Sequence, residues 1–180
     1  MIIVEGPDNT GKTTLIKQLC YRIPQLKYDG HSGGPPKTVE EWNERMYRVL
    51  LKPVNETIPY IIDRFFFSEL VYGKVLRGKT MIPLENMDVL AERLFEHNPL
   101  IIYCRRPIQR IKDDFNVREQ LSGVYENLTK ICWEYDKLFS LGWPFVGIHV
   151  YNFEDKDALK IVVERVKEYL QRWEVLTYEY

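Results

Sequence analysis

The run Gly6-Pro7-Asp8-Asn9-Thr10-Gly11-Lys12-Thr13 constrains this chain more than any other stretch. It satisfies G-x-x-x-x-G-K-[ST]. It also lies between an apolar run, Met1-Ile2-Ile3-Val4, and a helical pattern that begins near Lys12. A strand that turns into a helix through glycines can point successive backbone N–H groups inward at phosphate oxygens. The helix start adds the positive end of its dipole. Lys12 is expected to reach the β- and γ-phosphates and the Thr13 hydroxyl to sit on Mg²⁺. Gly6, Asn9, Thr10, Gly11 and Thr14 complete the expected ATP-binding loop. A chance glycine-rich turn does not bring four fixed positions into the right strand–helix setting, so the motif predicts a nucleoside triphosphate site.

The rest of the chain alternates strands and helices. Apolar strand candidates recur at 2–5, 26–29, 58–62, 99–104 and 145–151. Between them lie helical patterns. Leu15, Ile16 and Leu19 mark the first. Thr38 with Glu41 makes a capping box that opens a second, carrying Trp42 and Met46 and ending near Leu51. Met87, Leu90, Ala91, Leu94 and Phe95 form an apolar stripe, as do Val124, Tyr125, Leu128, Tyr135 and Leu138. Leu159, Val162, Val163, Val166 and Leu170 form the last. This order predicts an α/β fold of the P-loop NTPase kind, a mainly parallel five-stranded sheet flanked by helices, as one domain over residues 1–180. Ligands of such sheets sit at the carboxyl ends of the strands. Two irregular stretches begin there, 30–37 and 105–118, and are expected to be substrate and lid loops.

Composition narrows the function classes. The formal net charge of −1 and the absence of a Lys/Arg block argue against strong nucleic-acid binding. No run approaches a membrane-spanning length, and no leader is expected ahead of the first strand. Cys20, Cys104 and Cys132 are odd in number and form no zinc spacing, which fits reduced thiols in a cytoplasmic protein.

A second constellation follows the third strand: Asp63-Arg64-Phe65-Phe66-Phe67-Ser68-Glu69-Leu70-Val71-Tyr72. The strand delivers Asp63 and Arg64 to the same edge as the phosphate loop. A carboxylate there can hold Mg²⁺ beside Thr13, directly or through water, and an arginine fork suits bidentate phosphate binding. The phosphate loop's variable positions contain no Arg or Lys. The further cation that phosphoryl transfer requires is therefore expected from 105–118, with Arg110 and Arg118 first and Arg106 next. His31 and Trp42 fit a solvent-facing loop and helix packing better than substrate contacts.

Asp-Arg-aromatic-x-x-Ser-x-x-x-Tyr resembles the thymidylate kinase signature D-R-Y-x-x-S-x-x-A-Y, and the phosphate loop is similar to that family's G-x-D-G-x-G-K-[ST]. The resemblance extends over the strand order, the Arg-bearing segment after the fourth strand and the helix with Tyr125-Glu126-Asn127-Leu128. Phage-encoded deoxynucleoside monophosphate kinases belong to the same group, which would place such a protein in the host cytoplasm. The resemblance implies that Arg64 binds the acceptor monophosphate and Asp8 the sugar 3′-OH. It implies that Tyr72 lies against C2′ and disfavours ribose, and that Phe65, Ser68 and Glu69 shape the base pocket. It also implies that the segment from Asn152 lines the adenine of ATP, and it admits a homodimer. Where thymidylate kinases carry R-E-P-G-G, this chain has Gly30-His31-Ser32-Gly33-Gly34, and Gly73 stands where Gln often follows the signature Tyr. Base preference is therefore left open.

The expected reaction is transfer of the γ-phosphoryl group of ATP, with Mg²⁺, to a deoxynucleoside 5′-monophosphate, thymidylate or another. A deoxyribonucleoside kinase is the alternative; its hydroxyl acceptor calls for a carboxylate base, for which Asp29 is the residue at hand. A switch or motor NTPase is a more remote reading, since no N-K-x-D motif is present.

Overall fold

A computed structural model describes residues 1–30, 38–50, 58–115, 122–140 and 147–177. Among these, five strands form one parallel sheet: β1 (Ile2–Glu5), β2 (Lys27–Tyr28), β3 (Tyr60–Asp63), β4 (Leu100–Cys104) and β5 (Gly147–Tyr151). Their order across the sheet is β2-β3-β1-β4-β5. Parallel neighbours need crossovers, and helices supply them: α1 (Lys12–Arg22), α2 (Val39–Leu50), α3 (Phe66–Tyr72), α4 (Leu84–His97), α5 (Ile108–Phe115), α6 (Val124–Ser140) and α7 (Ala158–Thr177).

Both faces of the sheet are covered, which is why the strands read as continuous apolar runs rather than alternating ones. Ile2 pairs with Ile61 and Leu100, and these side chains join Val4, α1 and α7 in one core cluster. Ile3 pairs with Ile62 and Ile101, and these join Trp42, Phe66, Phe67, Leu128 and Tyr135 in a second core on the opposite face. The sheet order sets β1 between β3 and β4. The phosphate loop thus emerges between the segments that carry Arg64 and Arg105–Arg106.

Several boundaries differ from the sequence reading. β2 has two residues only. β3 begins after Pro59, whose missing N–H cannot extend a ladder, and continues to Asp63 because Val4 pairs with it. The 105–118 stretch is not all loop: 108–115 is helical. The apolar stripe of α4 is narrower than its spacing predicts, since Leu90 and Leu94 are buried but Phe95 is 55% exposed. α3 runs into a π-helical turn, Gly73–Arg77, that the sequence did not announce. A side chain at position 73 would collide with the Glu69 carboxylate and the Lys79 carbonyl, so only glycine fits there. His31, Arg118, Leu51 and the parts of the two expected loops at 31–37 and 116–118 lie outside the described residues.

Candidate active site

The phosphate loop has the backbone its sequence requires. Gly6 has φ +141°, and a Cβ there would come within 2.3 Å of the Cys104 carbonyl oxygen, so β4 packs against the loop as closely as backbone allows. Gly11, at φ +83°, is the N-cap of α1, and no side chain caps that helix. Its first N–H groups are left for an anion. Thr10 Oγ1 donates to the Pro7 carbonyl at 2.8 Å, and Lys12 Nζ donates to the same oxygen at 2.5 Å. Lys12 is 7% exposed. Burial, with Arg64 nearby, lowers its pKa to about 8, against the opposing pull of Asp8 and Asp63.

Asp63 closes β3 beside this lysine. It is buried, and its Oδ1 has no hydrogen-bond partner. An orphaned buried carboxylate oxygen is costly unless a cation or water meets it, so the donor set fits a Mg²⁺ site shared with Thr13 and nucleotide oxygens. Among the described residues there is no group of three or more His, Cys, Asp or Glu that could hold a metal unaided. Mg²⁺ is commonly held by one or two carboxylates plus substrate phosphates.

Two residues from beyond β3 converge on Asp8 of the loop. Arg64 forms an ion pair with Asp8. The Tyr72 hydroxyl donates to Asp8 Oδ2 at 2.9 Å and accepts the Asp8 backbone N–H at 3.2 Å. The Arg64 guanidinium carbon lies 5.0 Å from the centre of the Tyr72 ring. Burial pushes the Asp8 carboxyl up, but Arg64, Lys12 and the Tyr72 hydrogen bond outweigh it and hold the group below the usual range. Burial raises the Tyr72 phenol, so it stays a neutral donor. The three residues implied to bind acceptor phosphate and sugar are thus brought together.

Other expected base-pocket residues are spoken for differently. Ser68 Oγ donates to Glu5 Oε2 at 2.7 Å and lies 3.0 Å from the Tyr135 hydroxyl. Glu69, 7% exposed, accepts the Met81 N–H at 2.8 Å and pairs with Arg77. Its carboxylate braces the π-helical turn. Phe65 packs in the core beside Phe66, ring centres 5.0 Å apart.

On the other flank, Arg106 is a hub. It is only 9% exposed, yet it pairs with Asp114 of α5 and with Glu154 at 2.9 Å. It also donates to the Asn9 carbonyl at 3.3 Å and lies 4.7 Å from the Phe153 ring centre. One side chain therefore ties α5, the phosphate loop and the loop after β5. Asn152 is turned into its own loop: its side chain bonds Asp155 at 3.2 Å and accepts the Glu154 N–H at 3.2 Å. Arg110 is exposed on α5. The sequence reading missed Glu5, Arg77 and Tyr135. For Glu5 a signal existed, a lone carboxylate closing an apolar strand directly before Gly6. Arg77 and Tyr135 reach the site only through tertiary packing.

No family model matches the chain. An SPbeta prophage-derived uncharacterized protein, YorR of Bacillus subtilis (strain 168), is 26% identical over 156 residues, 86% of this chain and 88% of that protein. The crystal structure of Bacillus subtilis YorR in complex with phosphorylated GDP is similar at a TM-score of 0.66 and 19% identity, over 94% of this chain and 95% of that one. Deoxyadenosine kinase from M. mycoides with bound dCTP gives a TM-score of 0.60 at 12% identity, over 93% of this chain and 100% of that one. Thymidylate kinase from Candida albicans gives 0.57 at 12% identity, over 96% and 92%. At these identities the likeness is one of architecture. No described helix is long and apolar enough to cross a membrane. The chain resembles a prophage protein and has the P-loop NTPase fold, an architecture it shares with solved thymidylate and deoxyadenosine kinases.

Proposed function

We propose that the protein is a nucleotide kinase that transfers the γ-phosphoryl group of ATP to a deoxynucleoside 5′-monophosphate, giving ADP and the diphosphate. The observation that carries this reading is the convergence of Arg64 and Tyr72 on Asp8 of the phosphate loop. A guanidinium already desolvated and oriented by a carboxylate and a ring suits a phosphate clamp. The acceptor oxygen needs no strong base, because a phosphomonoester's second pKa is about 6. The acceptor oxygen forms a new bond to the γ-phosphorus as the bond to the β-phosphate oxygen breaks, and ADP departs with those electrons. What the chain must supply is alignment and positive charge.

Lys12 would leave the Pro7 carbonyl for the migrating phosphoryl group. Mg²⁺, held by Thr13 and Asp63, would supply Lewis-acid charge between donor oxygens. Arg106, Arg110 and Arg118 are the candidates for the remaining cation, and Arg106 is already anchored to the loop through Asn9. Tyr72 would lie against C2′ of the acceptor sugar and Asp8 would accept from its 3′-OH.

The fold likeness to a deoxyadenosine kinase favours testing a second acceptor, a deoxynucleoside 5′-hydroxyl. Asp29 follows β2, its N–H bonded to the Ile61 carbonyl at 2.9 Å, and is the carboxylate that would serve as base. A coupled ADP-release assay across deoxynucleoside monophosphates, ribonucleoside monophosphates and deoxynucleosides decides between them. Guanine nucleotides belong in the panel because YorR was crystallised with phosphorylated GDP. Turnover of at least one deoxynucleoside monophosphate, well above every nucleoside, is expected. Turnover of nucleosides alone would overturn the monophosphate reading, and hydrolysis without any acceptor would overturn both.

A further inference from the structure

Glu5 places an ionisable carboxyl where a parallel sheet covered on both faces ordinarily carries an apolar side chain. It ends β1 one residue before Gly6 and is 0% exposed. Burial raises its pKa against the opposing influence of Arg64, the Phe65 and Ser68 hydrogen bonds and Lys12. A buried carboxylate is costly unless its oxygens are satisfied. Here the partners that satisfy it come from α6 and from the start of α3. Oε1 accepts the Phe65 N–H at 2.6 Å, and Oε2 accepts the Ser68 hydroxyl at 2.7 Å and the Tyr135 hydroxyl at 3.3 Å.

The positions of those partners matter. Phe65 is the N-cap of α3 and has no side-chain cap of its own. Ser68 stands three residues later, where a capping box places a Glu or Gln that reaches back to the N-cap N–H. Serine cannot make that reach. Glu5 supplies the missing carboxylate from a different strand and bonds both the N-cap N–H and the hydroxyl three residues on. The capping box is closed in trans.

Between this cap and β3 stands Arg64, at φ +69°. That conformation is uncommon for a residue other than glycine and persists only where its surroundings over-determine it. The Arg64 N–H is held by the Val4 carbonyl at 2.9 Å, and the next N–H, that of Phe65, by the Glu5 carboxylate. Consecutive residues of β1 therefore grip consecutive N–H groups on either side of the left-handed turn. The guanidinium so aimed meets Asp8, which belongs to the loop that β1 delivers.

We infer that Glu5 is a positioning residue for Arg64. It locks the turn that aims the acceptor-phosphate clamp, and it fixes that clamp relative to the phosphate loop so that the two phosphates meet in register. The inference rests on the proposed role of Arg64 as the acceptor clamp. A brace of the core alone would affect both nucleotides alike, whereas a positioning role acts on the acceptor and acts through Arg64.

The test is a double-mutant cycle of Glu5→Ala and Arg64→Ala. It is read by steady-state kinetics and by calorimetric binding of ATP and of whichever of dAMP, dCMP, dGMP and dTMP the wild type uses fastest. Glu5→Ala is expected to weaken the monophosphate Kd and raise its KM by about 10-fold or more, with the ATP Kd changed less than about threefold. Glu5→Gln, whose amide oxygen still accepts the Phe65 N–H, should recover most of that loss. In the Arg64→Ala background the effect of Glu5→Ala on the monophosphate should shrink to less than about threefold. Equal losses for ATP and monophosphate, or an undiminished loss in the Arg64→Ala background, overturn the inference. Should Glu5→Ala fail to fold by circular dichroism, Ser68→Ala takes its place. It removes one of the Glu5 bonds, and its acceptor loss must likewise vanish without Arg64. Failure of the underlying kinase reading looks different. The wild type then phosphorylates none of the four monophosphates, or Arg64→Ala leaves monophosphate binding intact, and either result removes the role of Glu5 as well.

Discussion

The phosphate loop and the network around Arg64 form two banks, assembled from different distances along the chain. On the first, the proposed donor bank, Thr10 and Lys12 bond the Pro7 carbonyl from only 3 and 5 residues away, and the loop's shape comes from positive φ at Gly6, Asn9 and Gly11. On the second, the proposed acceptor bank, Arg64 meets Asp8 across 56 residues, Tyr72 meets it across 64, and Tyr135 reaches Glu5 across 130. The first bank is a local backbone device that any strand–loop–helix with these glycines can form. The second exists only once β1, β3, α3 and α6 have packed, so its geometry is a property of the core. In the proposed reaction, phosphate would be held on one side by N–H groups and on the other by a tertiary network of charged and aromatic side chains.

The comparison breaks most easily at Lys12. Lys12→Ala should leave the fold intact, since it removes a buried cation that the protein holds at a depressed pKa. It should lower kcat by about 10²–10³-fold or more, because it deletes charge at the migrating phosphoryl group. Circular dichroism with single-turnover kinetics checks both halves, and near-wild-type turnover would remove the phosphate-loop assignment.

Tyr72→Ala probes the acceptor bank. The hydroxyl bonded to Asp8 and the ring beneath Arg64 are lost together, and the space beside C2′ opens. The deoxy-to-ribo ratio of kcat/KM is expected to fall by roughly 10-fold. An unchanged ratio would make Tyr72 a packing residue only.

A smaller effect comes from pH. Burial and Arg64 hold the Lys12 pKa at about 8, so its proton is lost as pH rises through that value. Phosphate oxygens favour the charged form, and the pKa in the complex lies higher. ATP binding should therefore take up protons above about pH 8, and affinity should fall there by up to about tenfold per pH unit while staying flat below. Calorimetry in buffers of different ionisation enthalpy reads the proton uptake. Indifference of ATP affinity to pH over this range would mean that Lys12 does not contact the phosphates.

What was legible in the sequence follows the same division. Gly6, Gly11, Lys12 and Thr13 announce their structure because the loop rests on backbone conformation and short-range bonds to Pro7, even though Gly6 also packs against Cys104 and Gly11 against Phe153. The alternation of strands and helices gave the sheet within a residue or two, since strands covered on both faces read as unbroken apolar runs. Arg64 was legible as a phosphate-binding arginine from its place at a strand end, whereas its acceptor role and Tyr72 were legible only by resemblance to a signature. Nothing in the residues alone says that Arg64 adopts φ +69° or that its partner is Asp8. Ser68 and Glu69 show the limit. They occupy the expected positions, yet Glu5 claims one and Arg77 with Met81 the other, and those partners lie 63, 8 and 12 residues away. Helical spacing predicted burial of Phe95, but α4 needs only the narrower stripe of Leu90 and Leu94 to cover its side of the sheet.

The central claim is that the two banks serve two different phosphates, and Arg64→Ala tests it most directly. Calorimetric Kd values for ATP and for the preferred monophosphate, measured on the same folded preparation, give the answer. Losing a desolvated charge-assisted clamp should cost the monophosphate about 2–4 kcal/mol, roughly 30- to 1000-fold in Kd, while ATP weakens by less than about threefold. Equal weakening of both ligands, or a larger loss for ATP, would contradict the assignment of Arg64 to the acceptor.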